Sequence, residues 1–94
     1  MSTDTTVSRL ATVASEVGLH ARPAAAVVKA ANTLDTVVYL AKDGDPVDAR
    51  SMLSILALGA GCGDTVTVSA DGAGAAEAVD HLVALIESDL DAEG

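Results

Sequence analysis

The sequence predicts an α+β fold, an open-faced sandwich in which a four-stranded antiparallel sheet carries three helices on one face. Three observations predict it. Strand-like and helix-like stretches alternate in the order β-α-β-β-α-β-α, with no dividing linker and no internal repeat. The 94 residues suit one small domain, so residues 1–94 are read as a unit, with about 88–94 as a frayed acidic tail. Half of the chain is apolar but holds no Phe or Trp, and Tyr39 is its one aromatic residue. The core must therefore be built from Val, Leu, Ile and Ala.

The first stretch, "TTVSRLATV", is rich in Val and Thr and reads as a strand. Its inward face is ambiguous, because Val7, Leu10 and Val13 do not alternate strictly. "PAAAVVKAAN" reads as a helix, with Pro23 in a first turn that does not need its missing N–H and Asn32 as a stop. "TVVYLA" is a second strand, "KDGD" carries the Asp-Gly hairpin signal, and "PVDA" is a short edge strand beginning at a proline. Ser51 has the character of an N-cap for a short helix from Met52 to Leu58, stopped by Gly59 or Gly61. "TVTVSA" alternates cleanly, with Val66 and Val68 on one face and the threonines on the other. After the break "DGAG", Val79, Leu82, Val83 and Ile86 mark the apolar stripe of a last helix.

Fourteen acidic residues against five Lys and Arg give a net charge of −9. Nucleic acid and anionic membrane are poor partners for such a chain. An acid excess of this kind is compatible with life in high salt and is also common in GC-rich mesophiles. One cysteine, Cys62, forms no internal disulfide and fits a reducing compartment. One Cys and two distant histidines, His20 and His81, do not make a zinc cluster. No membrane-length apolar run and no secretory signal is read, so the expected location is the cytoplasm.

The stretch "GLHARPAA" carries the chemistry. A histidine at a helix start could be a cap, a ligand or a nucleophile. Such a helix end presents unpaired N–H groups and partial positive charge, a site suited to phosphate. The same positive end favours the uncharged, nucleophilic form of an imidazole. The Arg22 guanidinium has a fork that matches phosphate oxygens. His20 as nucleophile, the cradle Ala21, Arg22 and Pro23, and the arginine charge together describe a phosphoryl acceptor. No Walker-type loop and no local acid/base partner accompanies them.

"GLHARPAAAVVKAAN" and "RSMLSILALGAGCGDTVTVSADG" resemble the two signatures of the HPr family, the histidine-containing phosphocarriers of the phosphoenolpyruvate:sugar phosphotransferase system. The resemblance runs from about Val7 to Ile86. It implies that His20 is phosphorylated at Nδ1, that Arg22 steadies the phosphoryl group and that Pro23 fixes the first turn. Phosphate would arrive from phosphorylated enzyme I, charged by phosphoenolpyruvate, and leave to an enzyme II A component for sugar uptake. A carrier of this kind is a monomer that turns over no substrate and needs no metal or cofactor. The resemblance places Met52, Leu53 and Leu56 on the partner surface, with Lys29 and Arg50 in a basic rim. The rim is thin, because Asn32 and Ser54 stand where relatives often carry lysine. Ser51 matches a serine that a dedicated kinase phosphorylates in some relatives.

Plainer readings stand beside these. Ser51 as a simple cap, Met52, Leu53 and Leu56 as core, Lys29 and Arg50 as ordinary surface charges, and Cys62 and His81 without a role each fit the sequence. Two rival functions share the fold: a nitrogen-type carrier feeding regulators, and a regulatory binding module whose relatives lack the histidine. An enzyme of small-acid chemistry is disfavoured by the absence of an acid/base constellation.

Overall fold

The computed structural model describes residues 6–88. Seven elements follow in the expected order: β1 (Thr6–Thr12), α1 (Ala21–Asn32), β2 (Val38–Ala41), β3 (Val47–Asp48), α2 (Met52–Leu58), β4 (Thr65–Asp71) and α3 (Ala75–Glu87). The expectations for the N-terminal residues 1–5 and for the acidic tail beyond Ser88 lie outside the described residues. Within them, Ser88 closes α3, its hydroxyl donating to the Leu85 carbonyl at 2.6 Å.

The strands form one antiparallel sheet in the order β1-β4-β2-β3. β4 lies between β1 and β2, Val68 facing Arg9 on one side and Leu40 on the other, and its alternation puts one row of side chains on the covered face. Val66, Val68 and Ala70 point into the core. The ambiguity of β1 resolves in favour of Ala11 and Val13, which are buried; Leu10 points to the uncovered face and is 67% exposed. An alanine is a weak periodicity signal, which is why Leu10 misleads.

The helices cover the other face. Ala24, Val27 and Ala31 of α1, Ile55 of α2, and Val79, Leu82 and Ile86 of α3 join the strand residues in one buried cluster. Each fully buried Leu or Ile contributes roughly 1.5–3 kcal/mol through removal from water. Small residues dominate the contacts, so helices and sheet pack closely without aromatic side chains.

Several boundaries differ from the sequence reading, among them β2, which begins at Val38 and leaves out the first two residues of "TVVYLA". α1 begins at Ala21, so Pro23 is its third residue, still in the first turn where no N–H is required. The β2–β3 hairpin closes through a five-residue loop, 42–46, and its left-handed residue is Asp43 (φ 61°). β3 is shorter than "PVDA" because Pro46 has no N–H to extend the ladder. Ala49 returns to β2 by one further bond, its N–H donating to Val38 at 2.9 Å.

Candidate functional site

The segment before α1 is tightly constrained. Gly18 adopts φ 73°, and a Cβ placed there would lie 2.5 Å from the Ala60 carbonyl oxygen and 2.7 Å from the Gly61 Cα. Only glycine meets both demands. Its N–H donates to the Ser15 carbonyl at 2.9 Å, and the Leu19 N–H donates to the Ala60 carbonyl at 2.8 Å. The Leu19 side chain is buried. On the far side, Pro23 and Ala24 are buried, and the Ala24 N–H donates to the His20 carbonyl at 2.8 Å. The backbone of His20 is thus held from both directions.

His20 itself is the N-cap of α1, extended (φ −105°, ψ −168°) and exposed. Its side chain makes no capping bond. Ser or Asp at this position would fold an oxygen over the first-turn amides. The imidazole leaves them open. The amides of Ala21 and Arg22 have no partner among the described residues, and Pro23 has no N–H to give. The cradle read from the sequence therefore narrows to two donors, with Pro23 acting through its ring alone. No acidic residue occupies the first turn. Arg22 is exposed and forms no ion pair among the described residues. A histidine ring, the two first-turn amides, the positive end of a twelve-residue helix and the Arg22 guanidinium share one exposed turn.

α2 packs against α1 and leads through Gly59 to Ala60, the residue that holds Leu19. Gly59 terminates α2 in the left-handed conformation (φ 64°), as Gly at a C-cap does. At the other end Ser51 is a working N-cap, its Oγ accepting the Ser54 N–H at 3.2 Å. Along α2 only Ile55 is fully buried. Met52 and Leu56 are half-buried against the core, and Leu53 is 80% exposed. The helix thus leaves one large apolar side chain in water and two more partly within reach of a partner.

The basic rim is thinner than the sequence suggests. Arg50 is engaged by Asp48: Nη2 lies 2.8 Å from Oδ2, Nε lies 3.1 Å from Oδ1, and the Arg50 backbone N–H donates to Oδ1 at 2.8 Å. These contacts hold the Asp48 carboxyl below the usual carboxylate range, the guanidinium hydrogen bonds first and the backbone bond second. A two-residue separation across a strand end gave no sequence signal for this pair. Lys29 is exposed on α1 without an ion pair among the described residues, seven residues along from Arg22. Of the two expected rim charges, only Lys29 is without an ion pair among the described residues, as is Arg22 beside His20.

Cys62 is exposed in the loop after Gly61. His81 lines a 370 Å³ groove with Leu34, Asp35, Thr36, Gly74, Glu77 and Ala78, which contains none of the candidate site residues. No group of three or more His, Cys, Asp or Glu among the described residues could hold a metal ion. No helix among them is long and apolar enough to cross a membrane. The sequence reading missed the contact behind the His20 segment, where Gly18 and Leu19 meet Ala60 and Gly61. The one signal for it was a glycine two residues before the histidine.

Comparison with known proteins finds similar chains. The family described as "PTS HPr component phosphorylation site" matches residues 7–88. The chain is 44% identical over 75 residues to the phosphocarrier protein HPr of Streptomyces coelicolor, covering 79% of this chain and 81% of that one. It is 36% identical over 83 residues to the HPr-like protein Crh of Halalkalibacterium halodurans, covering 88% and 99%. The crystal structure of HPr-C-His from Thermoanaerobacter tengcongensis superimposes with a TM-score of 0.84 at 36% identity, covering 94% of this chain and 99% of that one.

Proposed function

The chain belongs to the HPr family of phosphocarriers of the phosphotransferase system, and from that premise we propose that His20 accepts a phosphoryl group from phosphorylated enzyme I and passes it to an enzyme II A component during sugar uptake. The observation that carries this reading is the exposed His20 beside two amides and an Arg22 that have no partner among the described residues.

In the transfer, the Nδ1 lone pair of His20 attacks the phosphorus atom on the donor histidine. One P–N bond forms as the other breaks, and the donor imidazole leaves. The Ala21 and Arg22 amides and the Arg22 guanidinium stabilise the phosphoryl oxygens as charge shifts toward His20. Passage to the next partner runs the same chemistry in the other direction. The chain is a carrier: it is phosphorylated and dephosphorylated once per cycle and needs no metal or cofactor. It acts as a cytoplasmic monomer, so that His20 and the Leu53 face are open to successive partners. Such encounters suit a small, transient interface.

A regulatory, Crh-like module is the second reading, favoured by the 36% identity to that relative. His20 in an accessible turn weighs against it. A nitrogen-type carrier would use the same acceptor chemistry with different recipients. Ser51 is a structural cap first; a kinase that phosphorylates it would add charge at the edge of the apolar α2 face.

Incubation with enzyme I and labelled phosphoenolpyruvate tests the acceptor. Acid-labile, base-stable label on the wild type and none on His20→Ala is the expected outcome. Label persisting on His20→Ala contradicts it.

A further inference from the structure

We propose that Asp64 is a positioning residue for the phosphoryl acceptor: its carboxylate clasps the glycine-rich loop 59–63, and that loop fixes the segment from which His20 projects. The inference rests on the reading of His20 as acceptor.

The loop, Gly-Ala-Gly-Cys-Gly, has three glycines in five residues, and Gly59 and Gly63 sit at φ 64° and 87°. Such a chain has many conformations to lose and few side chains with which to hold one. Asp64 supplies the missing restraint. Its Oδ2 accepts the Gly61 N–H at 2.8 Å, and its own N–H donates to the Gly61 carbonyl at 3.0 Å, closing a reciprocal turn. Lys42 Nζ lies 3.5 Å from the same Oδ2. The Gly61 bond first, and the Lys42 charge in addition, hold the Asp64 carboxyl below the usual carboxylate range. It is therefore an ionised acceptor at neutral pH.

The clasp is anchored on one side and used on the other. On the anchored side, the Asp64 carbonyl accepts the Val13 N–H at 2.9 Å, and the Val13 carbonyl accepts the Gly63 N–H at 2.9 Å. These bonds continue the β1–β4 ladder beyond Thr12 and Thr65. On the other side, Ala60 accepts the Leu19 N–H, and Gly61 lies against Gly18 with no room for a side chain. The path from the Asp64 carboxylate through Gly61 and Ala60 to Leu19 ends one residue before His20. Loosening the loop frees Leu19 and spreads the imidazole over orientations that miss the in-line approach to phosphorus.

Four variants of the full chain separate this role from plain stability. Asp64→Ala removes the acceptor. Asp64→Glu keeps the charge beside Lys42 but moves the oxygen one methylene out of line with the Gly61 N–H. Asp64→Asn keeps an oxygen in place without the charge, and Lys42→Met removes only the ion pair. Phosphoryl transfer from enzyme I is followed against carrier concentration, on proteins whose amide spectra are native. The expected result is a kcat about tenfold lower for Asp64→Ala and Asp64→Glu, with KM within about twofold because the α2 face is unchanged. Asp64→Asn and Lys42→Met stay near wild type. Should Asp64→Ala fail to fold, Asp64→Glu and Asp64→Asn together decide. Wild-type kcat in folded Asp64→Glu overturns the clasp and leaves the acceptor intact, as does an Asp64→Asn as slow as Asp64→Glu. A wild-type chain that takes no label on His20 overturns the acceptor reading itself.

Discussion

The Leu19 N–H donates to the Ala60 carbonyl at 2.8 Å, and this bond joins the segment that presents His20 to the loop leaving α2. The bond ties the turn that presents His20 to the apolar helix beside it as one packed unit. A carrier that meets several partners gains from this, since neither surface has to be ordered again at each encounter.

Gly18 is the least replaceable residue in that unit. Alanine there combines a left-handed φ of 73° with a Cβ 2.5 Å from the Ala60 oxygen. Gly18→Ala is expected to lower stability by about 1–3 kcal/mol, with loss of the Leu19–Ala60 bond as the backbone shifts. Urea unfolding measures the first, and protection of the Leu19 amide from exchange the second. A variant as stable as wild type with a protected Leu19 amide contradicts the packing described.

Leu53 and Leu82 make opposite predictions. Leu82 is fully buried under the sheet, whereas Leu53 is 80% exposed. Leu82→Ala is expected to cost about 2–5 kcal/mol of stability. Leu53→Ala is expected to change stability by less than about 0.5 kcal/mol. If Leu53 meets the partners, its loss raises KM for transfer from enzyme I. Steady-state transfer and thermal melting, run on both variants, distinguish a contact residue from a core residue.

Stability should fall on acidification for a stated reason. The carboxyls of Asp48 and Asp64 both lie below the usual range, the first through Arg50 and the second chiefly through the Gly61 N–H. Near pH 4 the unfolded chain binds more protons at these groups than the folded one, so their contribution is complete above about pH 4 and is lost as pH falls below it. Between pH 5 and 8 neither changes stability. Urea midpoints at pH 7 and pH 3 should differ less in an Asp48→Asn, Asp64→Asn double variant than in wild type. An equal difference contradicts the assignment.

Ser51 allows charge and capping to be separated. Ser51→Ala removes the acceptor for the Ser54 N–H and is expected to cost about 1 kcal/mol. Ser51→Asp keeps a capping oxygen and favourable charge at the start of α2, so stability should be retained. If Ser51 borders the partner surface, the aspartate slows transfer from enzyme I while the alanine does not. Equal transfer by both variants places Ser51 outside the interface.

The order of the elements was legible because their patterns differ in period: Val66 and Val68 alternate, whereas Val79, Leu82 and Ile86 recur at helical spacing. The helix start at His20, with Arg22 and Pro23 in its first turn, was legible from the proline and the alanine-rich run that follows it. The support behind them was not. Gly18 and Gly61 make contact only once the chain has folded, and no periodicity reports a contact between two residues without side chains. The Arg50–Asp48 pair was hidden for a similar reason: two residues apart, their side chains meet only because the strand ends at Asp48. The hairpin was foreseen, but Pro46 shortened its ladder and Asp43 took the left-handed position.

On the proposed function, a ring nitrogen of His20 carries the phosphoryl group while the turn around it stays folded. Phosphorus–nitrogen correlation NMR on the isotopically labelled chain, phosphorylated by enzyme I and phosphoenolpyruvate, detects that bond itself. The expected result is a phosphorus resonance coupled to Nδ1 of His20, with the Ala21 and Arg22 amides shifting on phosphorylation. Coupling to His81, or to Nε2 of His20 with those two amides unmoved, would contradict it.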